Sequence, residues 1–375
     1  MTKPTLYHCF PRPKIVRREA DDMAVRIPYS TNDSAGFDIL EAIIKHGLVC
    51  TSEPLRVKTD PLRVRVEGRT SKLHTISMQT RACFTLSTFE DLSAPHALAY
   101  FRKTGNDVLM PASHFDLFGG FGIAVDPIAG RRMGVMPAMY YYQIEGVEDG
   151  GPEEMLRRLY EAKQTLLALH SIEERSGKVR MPWVHTAFSD ERATSHDLGL
   201  TVDDQRVEGA IRGLVPRKAE AILPLFDVDR RSSWQIVDKI NYILGLFQNT
   251  DSSVEHSPLA FYEQREWRLP YNSQTNLGWY SLGNHPTIRD PQKSENIRAA
   301  GVVLKMIERM KGRSLTESER DSTWVLFEVD RLPFASIIEE IICPTHAADR
   351  VERLVRSEIS SGKLNRNVKI SHSLA

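Results

Sequence analysis

Phe261-Tyr262-Glu263-Gln264-Arg265-Glu266-Trp267-Arg268-Leu269 alternates like a strand, yet four of its nine side chains are charged where a core strand would carry Val and Ile. With a period of two, Tyr262, Gln264, Glu266 and Arg268 share one face, and Phe261, Glu263, Arg265, Trp267 and Leu269 share the other. A carboxylate held on a rigid element between polar neighbours and bulky rings is one way to present a fixed acid or base. A solvent-facing edge strand, whose charges repel unwanted pairing, would carry the same pattern.

Working outward, both flanks read as strand-rich and the centre as helical. Leu6 to Phe10 is a compact strand stopped by Pro11 and Pro13, and Phe37 to His46 has helical spacing ending at Gly47, a left-handed C-cap position. Leu55 to Val66 alternates around Pro61 and suggests exposed strands. Ala82 to Thr88 is a further strand, and Phe118 to Ile144 reads as a hairpin turning through Pro127 and Gly130. Apolar stripes over Glu153–Ser176 and Ser233–Phe247 predict helices. After them come a helix over Ile297–Arg313, a capping box at Ser314/Glu317 or Thr316/Glu319, a strand from Trp324, an amphipathic helix over Arg350–Ser360 and a last strand over Asn367–His372. The pattern predicts an α+β fold with mixed or antiparallel sheets: 1–149 as the N-terminal half of a core, 150–255 as a helical insertion or lid, and 256–375 as the C-terminal half.

Bulk composition narrows the function classes. Lys plus Arg (49) equals Asp plus Glu (49), which removes any whole-protein pull on a polyanion and leaves only local basic patches. No apolar run approaches membrane-spanning length, and Cys9, Cys50, Cys83 and Cys343 form no paired motif, so a cytoplasmic protein without a membrane partner is expected. Gly119-Gly120-Phe121-Gly122 lacks the Lys-Ser/Thr of a phosphate loop and reads as a turn before a strand. No histidine spacing supports a metal, and no nucleophile elbow is present. His114 and Asp116 would share a face if their segment were extended, but two ligands do not make a site. What remains is chemistry that needs one placed carboxylate, and glycosyl transfer from a dinucleotide fits. Cleavage of the nicotinamide–ribose bond develops oxocarbenium character, which a nearby carboxylate stabilises.

The islands Cys83-Phe84-Thr85-Leu86-Ser87, Phe118-Gly119-Gly120-Phe121-Gly122-Ile123-Ala124, Gly134 to Tyr140 and Arg265-Glu266-Trp267-Arg268 resemble the AbiGi family of abortive-infection proteins. Ile337 to Pro344 and Val368 to Ser371 resemble that family's closing pattern. The resemblance runs in islands from about 80 to 372 and does not cover 150–250. It implies phage defence, in a family whose members are commonly labelled antitoxin components of a two-gene system. A second resemblance is to ADP-ribosyltransferase-like domains, through Leu6-Tyr7-His8, the helix ending at Gly47-Leu48, and Gln264-Arg265-Glu266. It implies NAD as the substrate and Glu266 as the catalytic carboxylate. His8 and Tyr7 on the first strand, with Phe84 or Ser87 on a middle strand, would lie around the NAD. Gln264 and Arg268 would face a nucleic-acid or protein acceptor.

Each assignment has a structural rival: His8 as a core histidine, Ser87 as a helix cap, and Arg268 as a partner bridging Glu266. Three functions follow: an NAD-dependent transferase, a non-catalytic antitoxin that restrains a cognate toxin, and a metal-requiring nuclease-type effector. A transferase should bring His8 and Glu266 to opposite sides of one cleft; a binding protein need not.

Overall fold

The computed structural model describes residues 3–17, 24–27, 34–58, 73–103, 105–141, 155–156, 159, 239–249, 265–271, 277–283 and 293–373. The chain begins with strands β1 (Thr5–Phe10), β2 (Lys14–Arg17) and β3 (Ala24–Ile27), helix α1 (Ala35–His46), and strands β4 (Leu48–Lys58) and β5 (Leu73–Ser87). There follow α2 (Phe89–Ser93), β6 (Ala97–Lys103), β7 (Asn106–Ala112), α3 (His114–Phe118), β8 (Phe121–Val125), α4 (Pro127–Met133), β9 (Met136–Pro137) and β10 (Met139–Tyr141). The later elements are β11 (Phe247–Asn249), β12 (Glu266–Pro270), β13 (Gly278–Ser281), α5 (Lys293–Lys311), α6 (Glu317–Asp321), β14 (Trp324–Val329), β15 (Leu332–Pro333), β16 (Ile338–Pro344), α7 (Ala348–Ser360) and β17 (Lys369–Ser373). Helices and mixed sheets together make an α+β protein.

Two compact units divide the chain. The first comprises Met1–Glu53, Thr80–Tyr140 and Thr250–Ala375, and the second comprises Pro54–Gln79 and Tyr141–Asn249. The stretch 54–79 therefore belongs with the central segment, which the sequence reading did not give. In the second unit, residues 239–244 are helical, and the Gln79 side-chain amide donates to the Leu244 carbonyl. Most of the helical stripe over Glu153–Ser176 lies outside the described residues, as do residues 59–66 of the expected exposed strands.

In the first unit the main sheet runs β13-β14-β4-β5-β1-β8-β16-β17, with β12 pairing β5 and β9, and β15 pairing β14. Among the described residues of this sheet, the β16–β17 pair is parallel and the other registers are antiparallel. A smaller sheet, β2-β3-β6-β7, stands beside it in chain order.

One face of the main sheet carries Leu6, Phe84, Ile123, Val125 and Ile341 into a large core with helices α1, α5 and α7. The 3.6-residue spacing explains each helix: Phe37, Leu40, Ile43 and Ile44 on α1, and Val351, Leu354 and Val355 on α7 all turn inward. Burying one Leu or Ile this way contributes about 1.5–3 kcal/mol before chain entropy is subtracted. The other face carries Tyr7, Cys9, Ala124 and Ile342 beneath Leu92 of α2 and Phe115 of α3.

Three local expectations are corrected. The expected hairpin at Phe118–Ile144 is absent: β8 lies between β1 and β16, and residues Pro127–Met133 are helix α4, started by Pro at its first turn. The pair His114/Asp116 is helical rather than extended, because Ser113 and Asp116 form a reciprocal capping box at the start of α3. Gly47 does not end α1 in the left-handed helical region. Its φ of 111° pairs with an extended ψ of 176°, and a Cβ there would run into the Leu326 carbonyl oxygen of β14. Among the described residues, no helix is long and apolar enough to cross a membrane.

Candidate functional site

Strand register assembles the site. Both edges of β5 are paired at Thr85: with Tyr7 of β1 on one side and with Glu266 of β12 on the other. Continuing through β8, β16 and β17, the lateral row reads Glu266, Thr85, Tyr7, Ala124, Glu340, Lys369. Cross-strand partners point to the same face, so Glu266, Thr85, Tyr7 and Glu340 share the face covered by α2 and α3. With strands about 4.8 Å apart, Glu266 and Glu340 lie on the order of 20 Å from each other, far beyond the roughly 5–9.5 Å of a carboxylate pair that cleaves a glycoside. Glu266 and Glu340 therefore do not form such a pair.

Glu266 opens β12 after Arg265, which adopts φ 46°, and its side chain is 13 % exposed. Arg268, next on the same face, has no exposed side-chain surface, and its Nε donates to Glu266 Oε1 at 2.9 Å. Arg81 lies on that face of β5, opposite Pro270 and thus diagonal to Arg268. Burial alone would raise the Glu266 pKa. The Arg268 charge and hydrogen bond, the Arg81 charge and the Cys83 thiol outweigh it and bring the carboxyl down to about 2. Burial and the Glu266 charge in turn push the Cys83 thiol up to about 11, so it is no thiolate nucleophile. Tyr140 is likewise raised, by burial and then by Glu266.

A histidine that the sequence reading left unused stands on the same face. His114, 4 % exposed at the first position of α3, shares a hydrogen bond between its Nε2 and Thr85 Oγ1 at 3.3 Å. Its ring lies tilted against Phe118 at 4.4 Å and stacks on His96 at 6.2 Å. Burial, then the charges of His96 and Arg12, lower its pKa to about 3, so the imidazole is neutral. Arg12 is exposed, with its guanidinium carbon 5.1 Å from the Phe118 centroid.

The predicted site residues divide between the two faces. His8 follows the opposite parity, with Leu6 and Phe10. Its ring sits 5.6 Å from Phe10 and 5.5 Å from Phe84, and its Nδ1 bonds the Cys83 carbonyl at 2.7 Å. Burial, against the bond to Cys83 and with help from Arg12, lowers its pKa to about 4. The expectation that His8 and Glu266 flank one cleft is thus corrected: adjacent residues on β1 point to opposite faces, and Tyr7 took the Glu266 side. Cys83 touches both, its carbonyl meeting His8 and its thiol meeting Glu266.

Tyr7 is buried, and its hydroxyl donates to Glu340 Oε2 at 3.1 Å. Phe84, 1 % exposed, lies in the main core opposite Trp267. Ser87 is buried opposite Thr5; the cap of α2 is Thr88, which accepts from the Asp91 amide. Gln264 lies outside the described residues.

Thr85 and His114 could have been found in the sequence. Thr85 shares strand parity with Ser87, and Ser113-x-x-Asp116 is a helix-start signature that fixes where His114 points. Comparison with protein-family models, with curated proteins and with solved structures yields no match.

Proposed function

We propose that the chain is a phage-defence protein whose Glu266 face is an NAD-dependent ADP-ribosyltransferase site, acting on a nucleic-acid or protein acceptor. The observation that carries this reading is the adjacency of β1, β5 and β12, which sets an ionised, mostly buried carboxylate beside a hydroxyl and a neutral imidazole on one rigid face. A carboxylate that stays charged at every physiological pH can stabilise positive charge developing on a ribose as its bond to nicotinamide breaks, and low-dielectric surroundings strengthen that effect. Neutral His114 and Thr85 can exchange hydrogen bonds with ribose hydroxyls. The imidazole of this reading is His114 and not His8. The defence context is supported by the sequence resemblance. Transfer of label from NAD to nucleic acid or protein in a cell lysate, lost on Glu266→Gln, tests the reading.

A second reading has its own observation. Arg268 is fully buried and bound to Glu266, and the Tyr7 hydroxyl is committed to Glu340, so two predicted site groups already have intramolecular partners. A non-catalytic antitoxin that binds and restrains a cognate toxin would carry such bridges for rigidity. Co-purification of a stable partner by both wild type and Glu266→Gln, with no NAD turnover by either, supports it over the first.

A further inference from the structure

The chain balances its charges overall, with 49 cationic and 49 acidic residues, but not locally. Residues 353–373, which take in most of α7, the turn after it and β17, hold five cations and one carboxylate. Arg353, Arg356, Lys363, Arg366 and Lys369 are all exposed, whereas the carboxylate, Glu358, is 7 % exposed and accepts from the Ser361 hydroxyl. Every charge this stretch shows to solvent is therefore positive. Several exposed cations elsewhere sit on carboxylates: Lys45 on Glu41, Arg102 on Asp107, Arg309 on Asp38 and Arg313 on Glu319. Here only Arg356 does, on Glu352 at 2.7 Å, and its side chain is still 77 % exposed. Arg353, Lys363, Arg366 and Lys369 form no ion pair among the described residues. Glu340, the register partner of Lys369, already accepts from the Tyr7 and Ser371 hydroxyls.

These cations are not needed to close α7. Its last carbonyls accept from backbone amides: Ser357 from Ser361, Glu358 from Lys363 and Leu364, and Ile359 from Gly362, which turns the chain at φ 78°. Leu364 then enters the main core, and the Asn365 side chain accepts from the Asn367 amide at 3.0 Å. Lys363 and Arg366 thus flank a buried anchor on defined turns, and Lys369 opens β17 directly after them. Back along α7 from Ser360, Arg356 lies about 6 Å away and Arg353 about 10 Å, at the helical rise of 1.5 Å per residue. The small exposed side chains between the cations are Ser357, Ser360, Asn365 and Asn367. Residues 353–373 include no Phe, Tyr or Trp, and their apolar side chains are all buried or half-buried.

We propose that this α7–β17 surface binds the phosphate backbone of a nucleic-acid duplex without reading its sequence. Arg and Lys interspersed with Ser and Asn are the side chains that contact phosphate oxygens. The lack of an aromatic removes the base stacking on which single-strand binders rely, and the lack of an exposed apolar side chain removes insertion into lipid. Lys369 stands five strand spacings from Glu266 in the lateral row, on the order of 24 Å. The surface is therefore separate from the Glu266 face, and its binding does not depend on the chemistry proposed there.

The test is fluorescence anisotropy of the full chain with labelled duplex DNA and duplex RNA of unrelated sequences, over a range of salt and without NAD. Vesicles of phosphatidylserine with phosphatidylcholine form a parallel arm. Wild type is expected to bind duplex with little regard to sequence and more weakly as salt rises, the two duplexes showing which backbone it prefers. Replacing Arg353, Lys363, Arg366 and Lys369 together by Gln should cost at least about tenfold in affinity at low salt. It should also flatten the salt slope by about 0.9 for each cation removed. Arg366→Gln alone should flatten the slope by about one. All four residues are exposed, so the variants should melt with wild type. A control in which Lys14, Lys103, Lys305 and Arg331, also exposed, are changed to Gln makes the same change in net charge and should bind as wild type does. Any of four results would overturn the proposal: no salt-dependent duplex binding by folded wild type, wild-type affinity and slope in the fourfold variant, an equal loss in the control, or binding to the vesicles without binding to duplex.

Discussion

Arg268 Nε donates to Glu266 Oε1 at 2.9 Å, two residues apart on β12, with the guanidinium wholly enclosed and the carboxylate nearly so. The pair is the electrostatic centre of its sheet face. Taking two such charges out of water costs several kcal/mol for each ion, and their attraction offsets that cost only while both are present. Deleting one partner should therefore harm more than deleting both. Arg268→Met is expected to destabilise the first unit by about 3–5 kcal/mol, and the double change Glu266→Leu with Arg268→Met by markedly less. Urea unfolding of the three proteins checks this; equal loss in the single and double variants would mean the pair is not coupled.

Acid should weaken the protein in two overlapping windows. His8 and His114 have folded pKa values lowered to about 4 and about 3, against 6.5 for a free histidine, so below 6.5 the unfolded chain binds more protons than the folded one. Their contribution is whole above pH 6.5 and is lost as pH falls toward the folded values. Glu266, lowered to about 2 from 4.5, contributes fully above 4.5 and loses its share on the way down to 2. Each group can add a slope of up to about 1.4 kcal/mol per pH unit in its window. Urea midpoints should fall between pH 7.5 and pH 5.5, where only the histidines act, and His114→Gln should reduce that fall. An unchanged pH dependence in the variant would show that His114 is not neutral in the folded chain.

Gly47 joins α1 to β4 at φ 111°, hard against the Leu326 backbone. Alanine there would meet both backbone strain and a carbonyl oxygen that is held in the sheet. The loss expected from the strained conformation alone is about 1–3 kcal/mol. A thermal melt of Gly47→Ala should shift down by several degrees, and a melt as high as wild type would refute the assigned backbone geometry.

Thr316 caps α6, accepting from the Glu319 amide at 3.2 Å while its own amide donates to Glu319 Oε2 at 3.0 Å. Thr316→Ala should cost about 1 kcal/mol and leave ligand affinity at the Glu266 face unchanged. Calorimetry on the variant separates the two effects; altered affinity would show that the cap and the site communicate.

Local features of this fold are legible in the sequence because their causes are local. Strand β1 stops where Pro11 begins, the stripe of α7 repeats at helical spacing, and the Thr316/Glu319 box is written in four consecutive residues. Partner choice is a different matter. Nothing near Glu266 says that it will stand opposite Thr85, or that Tyr7 will reach Glu340, because register across a sheet is fixed by the packing of all its strands together. The same distance hid the central position of β8, whose glycines and flanking turn residues suit a hairpin as well as an interior strand. The candidate carboxylate was therefore readable from Arg265-Glu266-Trp267-Arg268, and the strand of Thr85 and the helix start that sets His114 were written locally too, while the register that brings them together was not. Parity also carried His8 to the opposite face, a result that follows once Tyr7 is known to pair with Thr85.

Nicotinamide release measures most directly whether Glu266 is the catalytic carboxylate toward NAD that is proposed. Wild type and Glu266→Gln should be compared as folded proteins of equal melting behaviour, with NAD alone and with added nucleic acid or lysate protein. Release by wild type, reduced at least about a hundredfold in Glu266→Gln, is the result predicted, the change being worth about 2.7 kcal/mol of transition-state stabilisation. Equal release by both proteins, or none from folded wild type under any of these conditions, would contradict it.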